Sequence, residues 1–200
     1  VDVCERQVNI LSEDPARELE LYSKLGRIWG DELDRERNAI ESWTRVLQLD
    51  PQNLDCLWAL RDLYERASNP AELARTIESL LILMDEADER RTELYRQSAV
   101  LYQEALDSSD KAIGAWRNVL ALNETDQDAI DNLEELYTAT ENWVECVAVL
   151  EAKAARTEDS YDKVSILFRV AEMYGEQLSD TSGCRRAFES VLQTQPDNID

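Results

Sequence analysis

The sequence contains no histidine and has few glycines and prolines. Its 200 residues include five Gly, four Pro and four Cys. Without histidine the chain can form neither a Ser-His-Asp nor a Cys-His catalytic arrangement, and it lacks the commonest metal ligand. No Gly-x-Gly occurs, which excludes a dinucleotide-binding loop. We therefore predict that the chain is not an enzyme and that it binds no cofactor or metal ion.

Long hydrophobic runs are also absent. The longest purely apolar runs, such as residues 80–84, are far shorter than the roughly 20 residues that a membrane-spanning helix needs. The four cysteines are widely spaced and form no Cys-x-x-Cys pair, so we interpret them as free thiols, which favours a reducing compartment. From these features we predict a cytoplasmic protein without a membrane segment.

Basic residues are outnumbered two to one by acidic residues. The chain has 21 Lys and Arg against 43 Asp and Glu, which gives a net charge of −22. This charge repels phosphate backbones and anionic lipid surfaces. We therefore expect neither nucleic acid nor a membrane as a partner.

Helix-forming residues are abundant, and they are arranged in a repeat. Residues 20–29 recur in pattern at 93–102 and 165–174, and residues 43–47 recur at 116–120 and 188–192, all at offsets of 73 and 72. Each long unit divides again, because residues 57–64 repeat the pattern of 22–29. Apolar residues spaced by three or four give each helix one buried stripe. The sequence therefore predicts an all-α fold of helical hairpins.

Prolines and polar residues mark where these helices begin and end. Asp14-Pro15 and Asn69-Pro70 combine an N-cap residue with a proline at the first helical position. Asp50-Pro51 and Gln195-Pro196 predict helix ends, because the residue before a proline disfavours the α conformation.

The pattern resembles the tetratricopeptide repeat. In the first hairpin the matching residues, in the family's order, are Tyr22, Leu25, Gly26, Trp29, Ala39, Trp43 and Pro51. In the third and fifth hairpins they are Tyr95, Ala99, Tyr102, Ala112, Trp116, Leu167, Ala171, Tyr174, Cys184, Phe188 and Pro196. There is one extra residue between Trp29 and Ala39, and Arg61 and Glu134 stand where the family favours glycine. The resemblance implies an all-α solenoid with a right-handed α-α superhelix.

The repeat boundaries divide the whole chain into one solenoid domain. We predict five repeats at 15–51, 52–86, 88–124, 125–158 and 160–196. Residues 1–12 match the second helix of a truncated preceding repeat, and residues 197–200 match the start of a further one. The chain is thus interpreted as a fragment of a longer array, and its likeness to long acidic arrays suggests a bacterial source.

The resemblance also implies a function, because such repeats are scaffolds that bind proteins or peptides in a concave groove lined by their first helices. Mapped onto this sequence, the groove positions are Ser23, Arg27, Trp58, Asp62, Arg96, Val100, Asp131, Glu135, Phe168 and Glu172. Trp58 and Phe168 are candidate anchors, since aromatic residues are enriched at binding hot spots. The alternative is that both rings pack internally.

Charge indicates which partner such a groove would accept. Acidic groove positions outnumber Arg27 and Arg96, which argues against a basic clamp for a peptide carboxylate and favours a partner with basic and apolar groups. Exposed repeat ends could also lead to end-to-end self-association. Two other functions stay open: a structural spacer without a dedicated ligand, and an RNA-binding helical repeat, which the acidic charge disfavours.

Overall fold

The structure is a computed structural model that describes residues 14–197. In that range it contains ten α-helices and no strand. The helices are α1 (Pro15–Arg27), α2 (Glu36–Leu49), α3 (Leu54–Arg66), α4 (Pro70–Leu83), α5 (Arg90–Val100), α6 (Ser109–Leu122), α7 (Gln127–Ala139), α8 (Trp143–Arg156), α9 (Ser160–Glu172) and α10 (Thr181–Thr194). The helix predicted at residues 1–12, and all but the first residue of the hairpin start predicted at 197–200, lie outside the described residues.

The chain forms two compact units. Unit 1 spans Val1–Asp107 and unit 2 spans Ser108–Asp200. The described helices α1 to α5 belong to unit 1, and α6 to α10 belong to unit 2. The boundary between the units falls inside residues 88–124, a range that the sequence pattern assigns to one hairpin.

Both of the predicted helix starts are capped by their own side chains. Asp14 Oδ1 accepts a hydrogen bond from the backbone N–H of Ala16 at 3.1 Å, and Asn69 Oδ1 accepts one from the backbone N–H of Glu72 at 3.3 Å. These bonds satisfy N–H groups that have no partner within the helix. Helices α2 and α10 each end two residues before a proline, as predicted.

A residue with a positive φ follows the first helix of every predicted hairpin. The five residues and their φ angles are Asp34 (50°), Ser68 (51°), Asp107 (47°), Glu141 (57°) and Ser179 (51°). None of them is a glycine, although this left-handed conformation favours glycine. Because they recur at offsets of 73 or 72, the same turn is used throughout the repeat.

Three of the first helices end in a π-helical turn. The turns are Ile28–Glu32 after α1, Leu101–Ala105 after α5 and Met173–Gln177 after α9. A π-helical turn holds one residue more than an α-helical turn. Trp29 lies five residues before the positive-φ residue of its turn, whereas Tyr64, the corresponding aromatic residue of α3, lies four residues before Ser68. The extra residue noticed in the first hairpin is therefore contained in the π-helical turn.

Unit 1 is held together by packing of each helix against the next one along the chain. One buried cluster joins α2 to α3 and consists of Ala39, Trp43, Val46, Cys56, Leu60 and Leu63. A second cluster joins α3, α4 and α5 and contains Leu57, Leu73, Ile77, Leu80, Met84 and Leu94. An ion pair ties α1 to α2, with Arg45 Nη2 2.8 Å from Glu18 Oε1.

Gly26 allows α1 to lie directly against α2. A Cβ atom at this position would stand 2.6 Å from the indole of Trp43, closer than packed atoms approach one another. The family's preference for glycine at this position thus has a steric cause in the first hairpin.

Unit 2 has the same order of packing, with each helix from α6 to α10 against the next. Its core contains one large buried side chain from each of α6 to α9, namely Trp116, Leu133, Leu150 and Val170. None of the helices described for residues 14–197 has the length and apolar character that a bilayer crossing requires.

Candidate functional site

The ten predicted groove residues lie on first helices of the predicted hairpins. In unit 1 they lie on α1, α3 and α5, and in unit 2 on α7 and α9. Arg27, Asp62, Val100, Asp131, Glu135 and Glu172 are exposed, whereas Ser23, Trp58, Arg96 and Phe168 are half-buried.

Unit 1 has a concavity of about 670 Å³ between α1 and α3, which we call the α1/α3 concavity. It brings together three of the predicted residues, Arg27, Trp58 and Asp62. Its other charged lining residues are Asp31, Asp55, Glu65 and Arg66. Four carboxylates therefore face two guanidinium groups around an indole ring, an arrangement that attracts a cation.

The charges of the α1/α3 concavity are only partly paired. Asp62 lies 2.8 Å from the guanidinium of Arg61, and Arg66 reaches Asp34 at 3.8 Å. Within the described residues Asp31 and Asp55 make neither an ion pair nor a side-chain hydrogen bond. These two carboxylates are therefore available to a ligand.

The Trp58 side chain both lines the α1/α3 concavity and packs against the core. Its ring packs against the cluster formed by α3, α4 and α5, and the guanidinium of Arg90 lies over it, 5.0 Å from the ring centroid. Arg90 also donates to Asp88 at 3.0 and 2.6 Å. The side-chain hydrogen bond from Arg90 lowers the pKa of Asp88 to about 2. Arg90 thus stays fixed over one part of the indole, and the predicted anchor is partly covered.

A second concavity, of about 640 Å³, lies between α3 and α5 and is called the α3/α5 concavity. Two more predicted residues line it, Arg96 and Val100, and the Val100 side chain is 38% exposed. The remaining apolar lining includes Tyr64, Pro70, Leu73, Leu101 and Ala105. Ser23 lines neither of these two concavities.

Arg61 lines the α3/α5 concavity and joins α3 to α5. Its Nε and Nη2 atoms donate to Gln97 Oε1 at 3.2 and 2.9 Å, and Gln97 Nε2 donates to Glu65 Oε1 at 2.9 Å. Sequence reasoning identified Arg61 only as a departure from the family's glycine. The structure shows that the longer side chain forms a polar bridge to the next first helix.

Unit 2 uses the equivalent position with the opposite charge. Glu134 forms ion pairs with Arg169 of α9 and, at 3.8 Å, with Lys153 of α8. Lys153 Nζ also donates to Asp131 at 2.6 Å, so this predicted groove residue is already paired. A polar bridge joins α3 to α5 in unit 1 and α7 to α9 in unit 2, but the residue at its centre is basic in unit 1 and acidic in unit 2.

The other predicted residues of unit 2 are less concentrated. Phe168 packs edge-on against Phe188 of α10, with the ring centroids 5.9 Å apart, and Glu135 and Glu172 are exposed. A concavity of about 410 Å³ in this unit is lined by α8, α9 and α10 and contains none of the four predicted residues. Unit 1 is therefore the better candidate for a binding site.

The described cysteines are buried or half-buried free thiols. Cys56 Sγ donates to the Trp43 carbonyl at 3.0 Å, and burial raises the pKa of this thiol to about 12. Burial also raises the pKa of Cys146. Both thiols are thus protonated core residues near neutral pH. In the described part of the chain no three Cys, Asp or Glu side chains are grouped so as to hold a metal ion.

Comparison with solved structures finds repeat proteins. The chain is similar to a crystal structure of MamA protein (19% identity, covering 90% of this chain and 93% of that chain, TM-score 0.49). It is also similar to YrrB, described as a TPR protein with an unusual peptide-binding site (13% identity, covering 98% of this chain and 94% of that chain, TM-score 0.47). A third similar structure is that of a tetratricopeptide repeat protein from Parabacteroides merdae ATCC 43184 (17% identity, covering 96% of this chain and 71% of that chain, TM-score 0.48).

No protein-family model matches the chain, and no curated protein sequence matches it. The architecture therefore rests on the chain's own helices and repeat pattern. Between residues 14 and 197 the helices are separated by recurring turns and each packs on the next inside its unit, which is an all-α, tetratricopeptide-like arrangement of helical repeats.

Proposed function

We propose that the chain is a non-catalytic protein-interaction scaffold, and that the first helices of unit 1 bind a peptide or helical segment with basic and apolar groups. The segment could belong to another protein or to a neighbouring domain. The observation that carries this proposal is the α1/α3 concavity, where an indole lies beside two carboxylates, those of Asp31 and Asp55, that have no partner among the described residues. A cytoplasmic location remains a prediction from the sequence.

Shape and charge together support this function. The indole of Trp58 offers a rigid apolar surface, and a buried aromatic anchor in a pocket supplies much of the affinity in many interfaces. The carboxylates of Asp31 and Asp55 add attraction for a cation, and the net charge of −22 steers basic segments toward the chain. A phosphate backbone would be repelled by the same charges.

The test compares fluorescein-labelled peptides of equal length in which Leu alternates either with Arg or with Glu. We expect the Arg peptide to bind with an anisotropy change that weakens as salt rises, and the Glu peptide not to bind. Trp58→Ala should weaken binding of the Arg peptide by roughly tenfold or more, mainly through faster dissociation.

A matched charge reversal separates this site from general attraction to an acidic protein. Asp55→Lys changes an acidic residue in the first turn of α3, and Glu145→Lys makes the same change in charge in the first turn of α8. We expect the first variant to weaken binding more than the second. Equal effects of the two variants, together with unchanged binding by Trp58→Ala, would contradict the proposal and favour a structural spacer.

A further inference from the structure

The two concavities on either side of α3 differ in chemistry although they neighbour each other. The α1/α3 concavity holds Trp58 and an excess of carboxylates. The α3/α5 concavity has two guanidinium groups and two carboxylates, and its exposed surface is mainly apolar. A segment lying across the first helices of unit 1 would therefore meet two different environments.

Pairing of the charges increases this difference. In the α3/α5 concavity each carboxylate has a guanidinium group within reach, since Glu93 lies 3.6 Å from Arg96 and Glu65 lies 3.6 Å from Arg61. In the α1/α3 concavity, by contrast, Asp31 and Asp55 have no such partner among the described residues. Paired charges attract a ligand ion weakly, whereas unpaired carboxylates attract a cation.

Arg61 keeps the two environments apart. It is bound on one side to Asp62, which lines the α1/α3 concavity, and on the other to Gln97, which lines the α3/α5 concavity. A cation near Arg61 gains little attraction, because the carboxylates beside it are already paired with the guanidinium group of Arg61. A cationic side chain is therefore directed to the far side of α3, toward Asp55.

We propose that unit 1 reads two different side chains of one partner segment. The α1/α3 concavity binds an arginine or lysine side chain, and the α3/α5 concavity binds an aliphatic side chain against Val100. This inference rests on the proposed function and adds which chemistry each concavity selects. The partner is thus a segment that presents a cationic and an aliphatic residue separately, not an evenly mixed basic surface.

Two isosteric substitutions test this division. Asp55→Asn removes one charge from the α1/α3 concavity, and Val100→Thr replaces one methyl group by a hydroxyl group in the α3/α5 concavity. Glu145→Gln is the control, because Glu145 also lies in the first turn of a helix but on α8. Circular dichroism and thermal unfolding check that each variant folds like the parent chain.

The probes are fluorescein-labelled peptides with an Arg pair and a Leu pair joined by Gly-Ser spacers of several lengths. The tightest-binding spacer is used to make two analogues, one with citrulline for Arg and one with Ala for Leu. We expect Asp55→Asn to weaken binding of the parent peptide about fivefold, but to weaken binding of the citrulline analogue less than about twofold. Val100→Thr should weaken binding of the parent peptide about threefold and leave binding of the Ala analogue nearly unchanged.

The decisive measurements combine each variant with the peptide analogue that is altered at the other concavity. Asp55→Asn should retain its full effect on the Ala analogue, and Val100→Thr should retain its full effect on the citrulline analogue, because distant sites act additively. If each variant affects binding of both analogues alike while Trp58→Ala still weakens binding by roughly tenfold or more, the division into two sites is wrong but the proposed function stands. If no spacer length gives binding that depends on Trp58, both are contradicted.

Discussion

At the scale of single residues, two glycines of the same helical array have opposite roles. Gly26 lies against the indole of Trp43, and a Cβ atom there would stand 2.6 Å from it. Gly114 lies inside α6, where a Cβ atom would meet nothing within 4 Å. The first glycine is therefore required by packing, whereas the second only raises the entropy cost of forming its helix.

This contrast gives a prediction with opposite signs. Gly26→Ala should lower the free energy of unfolding by about 1–2 kcal/mol, because overpacking against Trp43 outweighs the gain in helix propensity. Gly114→Ala should raise it by about 0.5–1 kcal/mol. Urea denaturation of both variants measures the two changes, and a stabilising Gly26→Ala would show that Trp43 moves aside at little cost.

Three of the residues that line the α1/α3 concavity could be named from the sequence. Arg27, Trp58 and Asp62 do line one concavity, because repeat position alone fixes which face of a first helix they occupy. The cover over the Trp58 ring could not be predicted, since Arg90 comes from α5 and reaches the ring only through tertiary packing. All ten groove positions remain predictions as binding residues.

At the scale of helices and turns, the apolar spacing and the proline-containing turns predicted the all-α fold. Such signals act within a few residues, so they can be read from the sequence. The π-helical turns were not predicted, because an extra residue can be placed either in a longer loop or inside the helix. The hydrogen bond from the Leu33 N–H to the Ile28 carbonyl shows that the extra residue lies inside the helix, and equivalent hydrogen bonds follow α5 and α9.

Placement of the extra residue predicts where the chain tolerates a deletion. Removing Glu32 from the π-helical turn should give the α-helical spacing already present in α3, at a cost below about 1 kcal/mol, because the side chains on both sides keep their faces. Removing Lys24 should cost more than about 2 kcal/mol, since it rotates Leu21 by about 100° relative to Leu25. Both deleted residues are exposed, and both neighbouring leucines are buried.

Urea denaturation compares the two deletion variants. A cost for deleting Glu32 that equals the cost for deleting Lys24 would mean that the π-helical turn does not absorb a residue, and that its geometry is required by the packing of α1 on α2.

At the scale of the whole molecule, the net charge of −22 opposes contact between two copies and favours contact with a basic partner. Screening acts over roughly 8 Å at physiological ionic strength. Raising the salt concentration should therefore weaken binding of a basic peptide and strengthen any apolar association between copies. The sign of the salt dependence separates the two kinds of interaction.

Helix α10 carries an exposed apolar surface. Phe188 and Leu192 are 42% and 50% exposed, whereas Trp43 and Trp116, which occupy the position of Phe188 in earlier repeats, are 4% and 2% exposed. The two side chains lie on adjacent turns of one helix and therefore form one continuous apolar surface. We propose that a second copy of the chain covers this surface. Phe188→Gln with Leu192→Gln should then abolish self-association. Val144→Gln with Tyr161→Gln is the matched control, because these apolar side chains of unit 2 are 63% and 77% exposed.

Sedimentation velocity over a range of protein concentrations measures the effect. We expect the average mass of the parent chain and of the control to rise with concentration, and to rise further at high salt because repulsion between the acidic chains is screened. The Phe188 and Leu192 variant should remain monomeric at both salt concentrations. Association that weakens as salt rises would identify ion pairs as its cause, and association unchanged in that variant would place the contact on another surface.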